Sequence, residues 1–352
     1  MATTSKPTLL IVHGGWHVPE SYGKLTSALR EAGFEVHIPR HLSMNQTRPP
    51  NADLESDSGL IRSYATSLIE AGRTVAVLMH SYGGQCGTNA LYGLSKTARA
   101  AKGLPGGISH LIYMAAFALP EGKAMTDKVD EFGHMDRMPI AFGFDEDQSC
   151  VANYPREGLI GETYADQLDP EELKSYVATL LRWNGKCMYL PLQKTPAWRD
   201  EAKVSYIYTL GDVTVPVDYQ KSMVQYMEKE GKTVQTVELD TGHSPNLTAT
   251  KGVVDAVLQF TSVIRYIDQA ENGRCMENGE MGFTFTPDLV TDQRRCRLAY
   301  FQYNSASDVP RRKLVELFQK IVNDTSLLGS TRREQNGGRA ATKRGETAAP
   351  PR

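Results

Sequence analysis

Residues 1–268 alternate short apolar runs with amphipathic stretches. Thr8–Val12 is an apolar run closed by His13-Gly14-Gly15. Over Ser21–Ala32, the residues Tyr22, Leu25, Leu29 and Ala32 recur at helical spacing, and Gly33 ends the stretch. Phe34–Ile38 reads as a second strand, closed by Pro39. Residues 41–56 are polar and carry Pro49-Pro50, which marks a loop. Ser58–Ala71 is helical again, with Ile61, Ala65, Leu68 and Ile69 on one face. Val75–Met79 is a buried strand. The pattern continues with a helix over Gln85–Ser95 and strands over His110–Ala115 and Val204–Leu210. A helix over Asp218–Glu230, a strand over Thr233–Leu239 and a closing helix over Val253–Tyr266 complete it. Such alternation predicts an α/β fold: a mostly parallel sheet with helices on both faces.

The alternation breaks between about 118 and 200. That is too long for a bare loop, so an inserted lid with its own structure is expected there. Pro170–Leu181 has helical spacing, with Asp169 or Asp166 before it as a candidate cap. Beyond 268 the character changes. Residues 269–352 carry 14 Lys and Arg against 10 Asp and Glu, so the first part holds the negative charge. One amphipathic helix is expected at 311–322, and a disordered tail from about 330.

Composition adds limits more than direction. The 352 residues are 40% hydrophobic and carry a net charge of −2, which favours neither nucleic acid nor an anionic membrane. No apolar run approaches the length of a membrane span. The five cysteines are odd in number and scattered, which fits reduced thiols and a cytoplasmic protein. Neither HExxH nor GxxxxGK[ST] occurs, and no metal or other cofactor is expected. The expected partner is a small-molecule substrate; oligomeric state is left open.

The chemistry concentrates where strands end. Val75–Met79 runs into His80-Ser81-Tyr82-Gly83-Gly84. A sharp strand-to-helix turn there lifts the serine to the top of the sheet beside a helix N-terminus. The usual G-x-S-x-G form has glycine where Met79 stands, so a turn with a serine cap is the competing reading. His13-Gly14-Gly15-Trp16 follows the first strand. Gly15 N–H, with Tyr82 N–H, is the expected pair of donors for a tetrahedral oxyanion. Asp212 lies in Leu210-Gly211-Asp212, at another strand end. His243 lies in Asp240-Thr241-Gly242-His243, after the last strand. Each is weak alone. Together they stand in the order Ser…Asp…His at one edge of one sheet. Ser81 is the expected nucleophile, His243 its base and Asp212 the carboxylate that orients the imidazole. His80 is expected to pack away from Ser81, and Asp240 to cap or face solvent. Trp16, His17, Trp183 and Trp198 are expected to form pocket wall. The apolar run Met125, Phe132, Met135, Met138 and Phe142 either gates the pocket or packs.

These stretches resemble the α/β-hydrolase superfamily, in the small-cap branch with plant hydroxynitrile lyases, methylesterases and many fungal hydrolases. The resemblance rests on VHGGWHVPESYGKL (12–25), VLMHSYGGQCGTNA (77–90), TPAWRDEAKVSYIYTLGDVTVPVDYQ (195–220), ELDTGHSPNLT (238–248) and the lid stretch ETYADQLDPEELKSYVATL (162–180). It implies an eight-stranded, mostly parallel sheet under a helical cap. It also implies the roles just given for Ser81, Asp212, His243, Gly15 and Tyr82. The Met-His-Ser-Tyr-Gly-Gly elbow is similar to that of fungal members, and fungal relatives often serve secondary metabolism. Ester, thioester or lactone hydrolysis through an acyl-enzyme is the leading expectation. A lyase using the same triad as base, with Lys186 or Lys194 near the leaving group, is the first alternative. A non-catalytic binding protein is the second.

Overall fold

A computed structural model describes residues 6–200, 202–262, 282–284 and 302–304. By contact the chain divides into Met1–Ile264 and Arg265–Arg352. In chain order the first unit runs β1 (Thr8–Val12), α1 (Gly23–Glu31), β2 (Val36–His37), α2 (Leu54–Glu70), β3 (Thr74–His80), α3 (Tyr82–Ala90) and β4 (Gly107–Met114). The insertion follows, with α4 (Met125–Glu131), β5 (Phe142–Phe144), β6 (Ser149–Ala152), α5 (Pro170–Ala178) and β7 (Trp183–Asn184). The chain returns through β8 (Lys203–Thr209), α6 (Val217–Lys229), β9 (Val234–Leu239) and α7 (Thr250–Thr261).

The main sheet has the order β2-β1-β3-β4-β8-β9, with parallel pairing throughout. The eight strands expected are not confirmed: among the described residues the sheet has six. The expected Phe34–Ile38 strand shrinks to Val36–His37, because it pairs with β1 only at those two positions. Side chains alternate across the sheet. Leu10, Val12, Val75, Val77 and Met79 face a core shared with α2, α3 and α6. Leu9, Ile11, Ala76 and Leu78 face a second core with α1 and α7. Both faces are therefore buried, which is why these strands read as unbroken apolar runs.

The insertion is not only helical. β5, β6 and β7 form a three-stranded antiparallel sheet. Helix α5 follows Asp169, whose carboxylate accepts from the N–H groups of Glu171 and Glu172, so Asp169 is the cap. Trp198, at the end of the insertion, donates its indole N–H to the Leu119 carbonyl at its start, 3.0 Å away. In the second unit, β10 (Gly282–Thr284) and β11 (Gln302–Asn304) pair antiparallel. The helix expected at 311–322 and the tail lie outside the described residues. Among the described residues no helix is long and apolar enough to cross a membrane.

Candidate active site

Ser81, Asp212 and His243 come together at the C-terminal edge of the sheet, all nearly buried. Ser81 Oγ lies 2.8 Å from His243 Nε2. His243 Nδ1 donates to Asp212 Oδ2 over 2.7 Å, which leaves Nε2 as the acceptor for the serine proton. Asp212 is itself held. Its Oδ1 accepts from the N–H groups of Thr214 and Val215 at 2.9 and 2.8 Å. Thr209 Oγ1 donates to its Oδ2 at 3.0 Å. The carboxylate therefore cannot swing away without orphaning buried donors.

The turn that presents Ser81 is strained. Ser81 has φ +54° and ψ −123°, a conformation L residues rarely adopt. Trp16 and Ala115, just beyond β1 and β4, also have positive φ. Gly83 is required because a Cβ there would collide with the Val12 and His13 carbonyls. Gly87 explains the missing glycine of the elbow. A Cβ at 87 would strike the Met79 sulfur, so the room for Met79 is made on α3. Tyr82 opens α3, so its N–H belongs to the first turn and has no partner within the helix. The Gly14-Gly15 loop packs against the serine: a Cβ on Gly14 would lie 3.0 Å from the Ser81 Cβ.

Ser81 opens into a cavity of about 140 Å³, walled by Trp16, Phe117, Met125, Met138 and Phe142 among others. Phe142, on lid strand β5, stacks on Trp16 with ring centroids 4.8 Å apart. Of the expected wall residues, only Trp16 lines this cavity. His17 sits behind the glycine loop, donating Nδ1–H to the Gly15 carbonyl at 2.7 Å. Trp183 lies one layer back, against Tyr82 and Trp16, with its N–H on Ser43 Oγ at 3.1 Å. Trp198 is tied to Leu119, away from the serine. Indole and imidazole N–H groups need acceptors when buried, and those acceptors decided where these rings lie. Of the Met–Phe run, Met125, Met138 and Phe142 line the cavity. Phe132 packs on Tyr219 instead, and Met135 is exposed. Lys186 and Lys194 are exposed and do not line it.

The alpha/beta hydrolase family model matches residues 9–256. The chain belongs to the alpha/beta hydrolase family. It is similar to "Probable hydrolase R7" of a Phoma species, 23% identical over 74% of this chain and 100% of that protein. It is also similar to "Alpha/beta hydrolase nvfD" of Aspergillus novofumigatus, 33% identical over 36% of this chain and 49% of that protein. A pyrethroid hydrolase from Sphingobium faniae shares the fold, with a TM-score of 0.56 at 18% identity over 73% of this chain and 98% of that one.

Around its serine this alpha/beta hydrolase gathers side chains that the sequence reading left without a role. His80, expected only to pack, does more than that. Its Nε2–H donates to the His243 carbonyl at 2.7 Å, and its Nδ1 accepts from the Tyr22 hydroxyl. Tyr22 in turn accepts from Gly14 N–H at 3.1 Å. One chain of bonds thus ties the glycine loop to the His243 backbone. Burial pushes the His80 pKa well down, with His243 adding to it, so the ring is neutral and both bonds keep their direction. Asp57 on α2 accepts from Ser43 N–H, the Ser43 hydroxyl and the Tyr82 hydroxyl, the last at 2.8 Å. Asp240 accepts from the Tyr164 hydroxyl at 2.7 Å, outside the triad. A signal for His80 existed: His13, His80 and His243 all lie at or just beyond the C-terminal ends of strands of one sheet. Nothing local marks Asp57, an acidic residue in the first turn of α2, where carboxylates are common. Among the described residues no group of His, Cys, Asp or Glu is placed to hold a metal ion.

Proposed function

We propose that this hydrolase cleaves a carboxylic ester, thioester or lactone of a small apolar or aromatic molecule through an acyl-enzyme on Ser81. The observation that carries the reading is the unbroken line Ser81 Oγ, His243, Asp212, at 2.8 and 2.7 Å. His243 Nε2 takes the Ser81 proton as Oγ bonds to the substrate carbonyl carbon. The N–H groups of Gly15 and Tyr82 receive the oxyanion. The leaving oxygen or sulfur departs with the proton from His243. Water, deprotonated by His243, then releases the acid and restores Ser81. Asp212 fixes the imidazole tautomer and stabilises its charged form. The apolar walls Phe117, Met138 and Phe142 support an apolar group beside the scissile bond. The exposed positions of Lys186 and Lys194 give the lyase alternative no support. A place in fungal secondary metabolism belongs to this reading through the family resemblance alone. Cytoplasmic residence is supported by Cys86, Cys150 and Cys187, which are unpaired.

A fluorophosphonate probe tests the mechanism. It is expected to label the wild type and to leave Ser81→Ala unlabelled. Equal labelling of a folded Ser81→Ala protein overturns it.

A further inference from the structure

The cavity at Ser81 is lined by six polar side chains: Ser81, Thr126, His134, Arg137, Thr214 and Tyr219. Five of them already have partners. Ser81 is bonded to His243. The Thr126 hydroxyl donates to the Met188 carbonyl at 3.3 Å, and the Thr214 hydroxyl to the Gly158 carbonyl at 2.8 Å. His134 Nδ1 and the Tyr219 hydroxyl share a bond of 2.6 Å. Arg137 is the exception. Among the described residues no carboxylate or carbonyl engages its guanidinium. The other nine described arginines each have such a partner. An unpaired cation therefore lines a cavity whose other walls are largely apolar. It stands on the lid turn Met135–Arg137, next to Met138, which lines the same cavity.

We propose that the substrate carries a carboxylate remote from its scissile ester, and that Arg137 selects for it. The inference rests on the ester-hydrolase reading above. Guanidinium presents a planar fork of donors that matches a carboxylate, and apolar surroundings strengthen the pairing. The apolar walls take the stem between the two ends. Arg137 is exposed, so water screens the attraction and limits its effect. Roughly a tenfold preference is the scale expected for one partly solvated charge-assisted contact.

Two ester pairs test this. In the first the charge is on the acyl side: 4-nitrophenyl hydrogen adipate against its methyl ester. In the second it is on the alcohol side: the butyrate ester of 3-hydroxybenzoic acid against that of methyl 3-hydroxybenzoate. The quantity read is the ratio of kcat/KM, charged over neutral, within each protein. Wild type is expected to favour the charged member of at least one pair by about tenfold, less so at high salt. Arg137→Gln is expected to bring that ratio near one, and Arg137→Lys to restore part of it. The ratio is internal to each variant, so a general change in turnover does not move it. Ser81-dependent hydrolysis with no Arg137-dependent ratio in either pair overturns the inference and leaves the ester reading standing. If no ester is turned over through Ser81, both fall.

Discussion

Along the sheet edge, buried polar side chains hold one another by hydrogen bonds that leave few alternatives. In the lid, the groups that face Ser81 are mostly apolar and held by packing. Asp212 accepts from two backbone N–H groups, a threonine hydroxyl and His243. Phe142 and Met138, by contrast, touch the cavity through contacts that many side chains of similar size would satisfy. The difference separates chemistry from choice. On the proposed function, the edge would set what bond-making can happen and the lid which molecule meets it.

Two substitutions test the edge. Asp212→Asn keeps the size of the side chain but lets His243 adopt the wrong tautomer. A loss of about ten-thousandfold in kcat is expected, equal for every ester tried. A loss that varied from ester to ester would erase the division between edge and lid. Asp57→Ala acts on stability instead. It leaves the Ser43 N–H, the Ser43 hydroxyl and the Tyr82 hydroxyl without an acceptor inside the protein. Urea unfolding is expected to show a loss of about 3 kcal/mol. A loss under about 1 kcal/mol would mean that water replaces the carboxylate and that the edge is looser than its bonds imply.

The same division decided how much could be read from the residues in order. Strands buried on both faces, such as Thr8–Val12 and Thr74–His80, declare themselves by composition. Ser81, Asp212 and His243 were legible because each follows a strand of a parallel sheet, and such ends share one edge. That the Gly14-Gly15 loop lies beside the serine was legible from its place after a strand. The lid offered no comparable rule. Trp183 and Trp198 are aromatic and lid-borne, yet each lies where its N–H finds an acceptor, Ser43 and Leu119, both distant in sequence. Arg137 draws no notice until the structure shows that, among the described residues, no carboxylate or carbonyl pairs with it. Met79 needed Gly87, eight residues on, to make sense.

His17 joins the two regions, since its ring lies 2.7 Å from the Gly15 carbonyl on one side and 2.7 Å from the Tyr176 hydroxyl of α5 on the other. Burial pushes its pKa down from 6.5 to about 3, opposed by the Gly15 carbonyl and reinforced by His243. Below pH 6.5 the unfolded chain therefore takes up a proton that the folded one refuses. Its contribution to stability is present above pH 6.5 and is lost as pH falls toward about 3. Between pH 6.5 and 5 that amounts to about 2 kcal/mol for this one histidine. His17→Gln is expected to flatten the fall of unfolding free energy over that window, whatever it does to stability at pH 7. An unchanged slope would show that the ring is reached by water and that lid and edge are not joined there.

The lid's part in choosing substrate is the smallest expected effect and the most direct test of the comparison. Phe142 stacks on Trp16, so the lid completes an apolar wall that the glycine loop begins. Phe142→Ala removes one side of that wall without touching a bond of the triad. An aryl ester loses dispersion and buried area, while an acetyl ester has little there to lose. The ratio of kcat/KM for a phenylacetate-type acyl group over acetate is expected to fall about tenfold. Asp212→Asn should leave that same ratio where it was, because it weakens a step both esters share. If Phe142→Ala instead lowers both esters alike, the lid acts on the chemistry as well as on the choice. The stacking of Phe142 on Trp16, whose φ is positive, is then the route by which it reaches the Gly15 N–H.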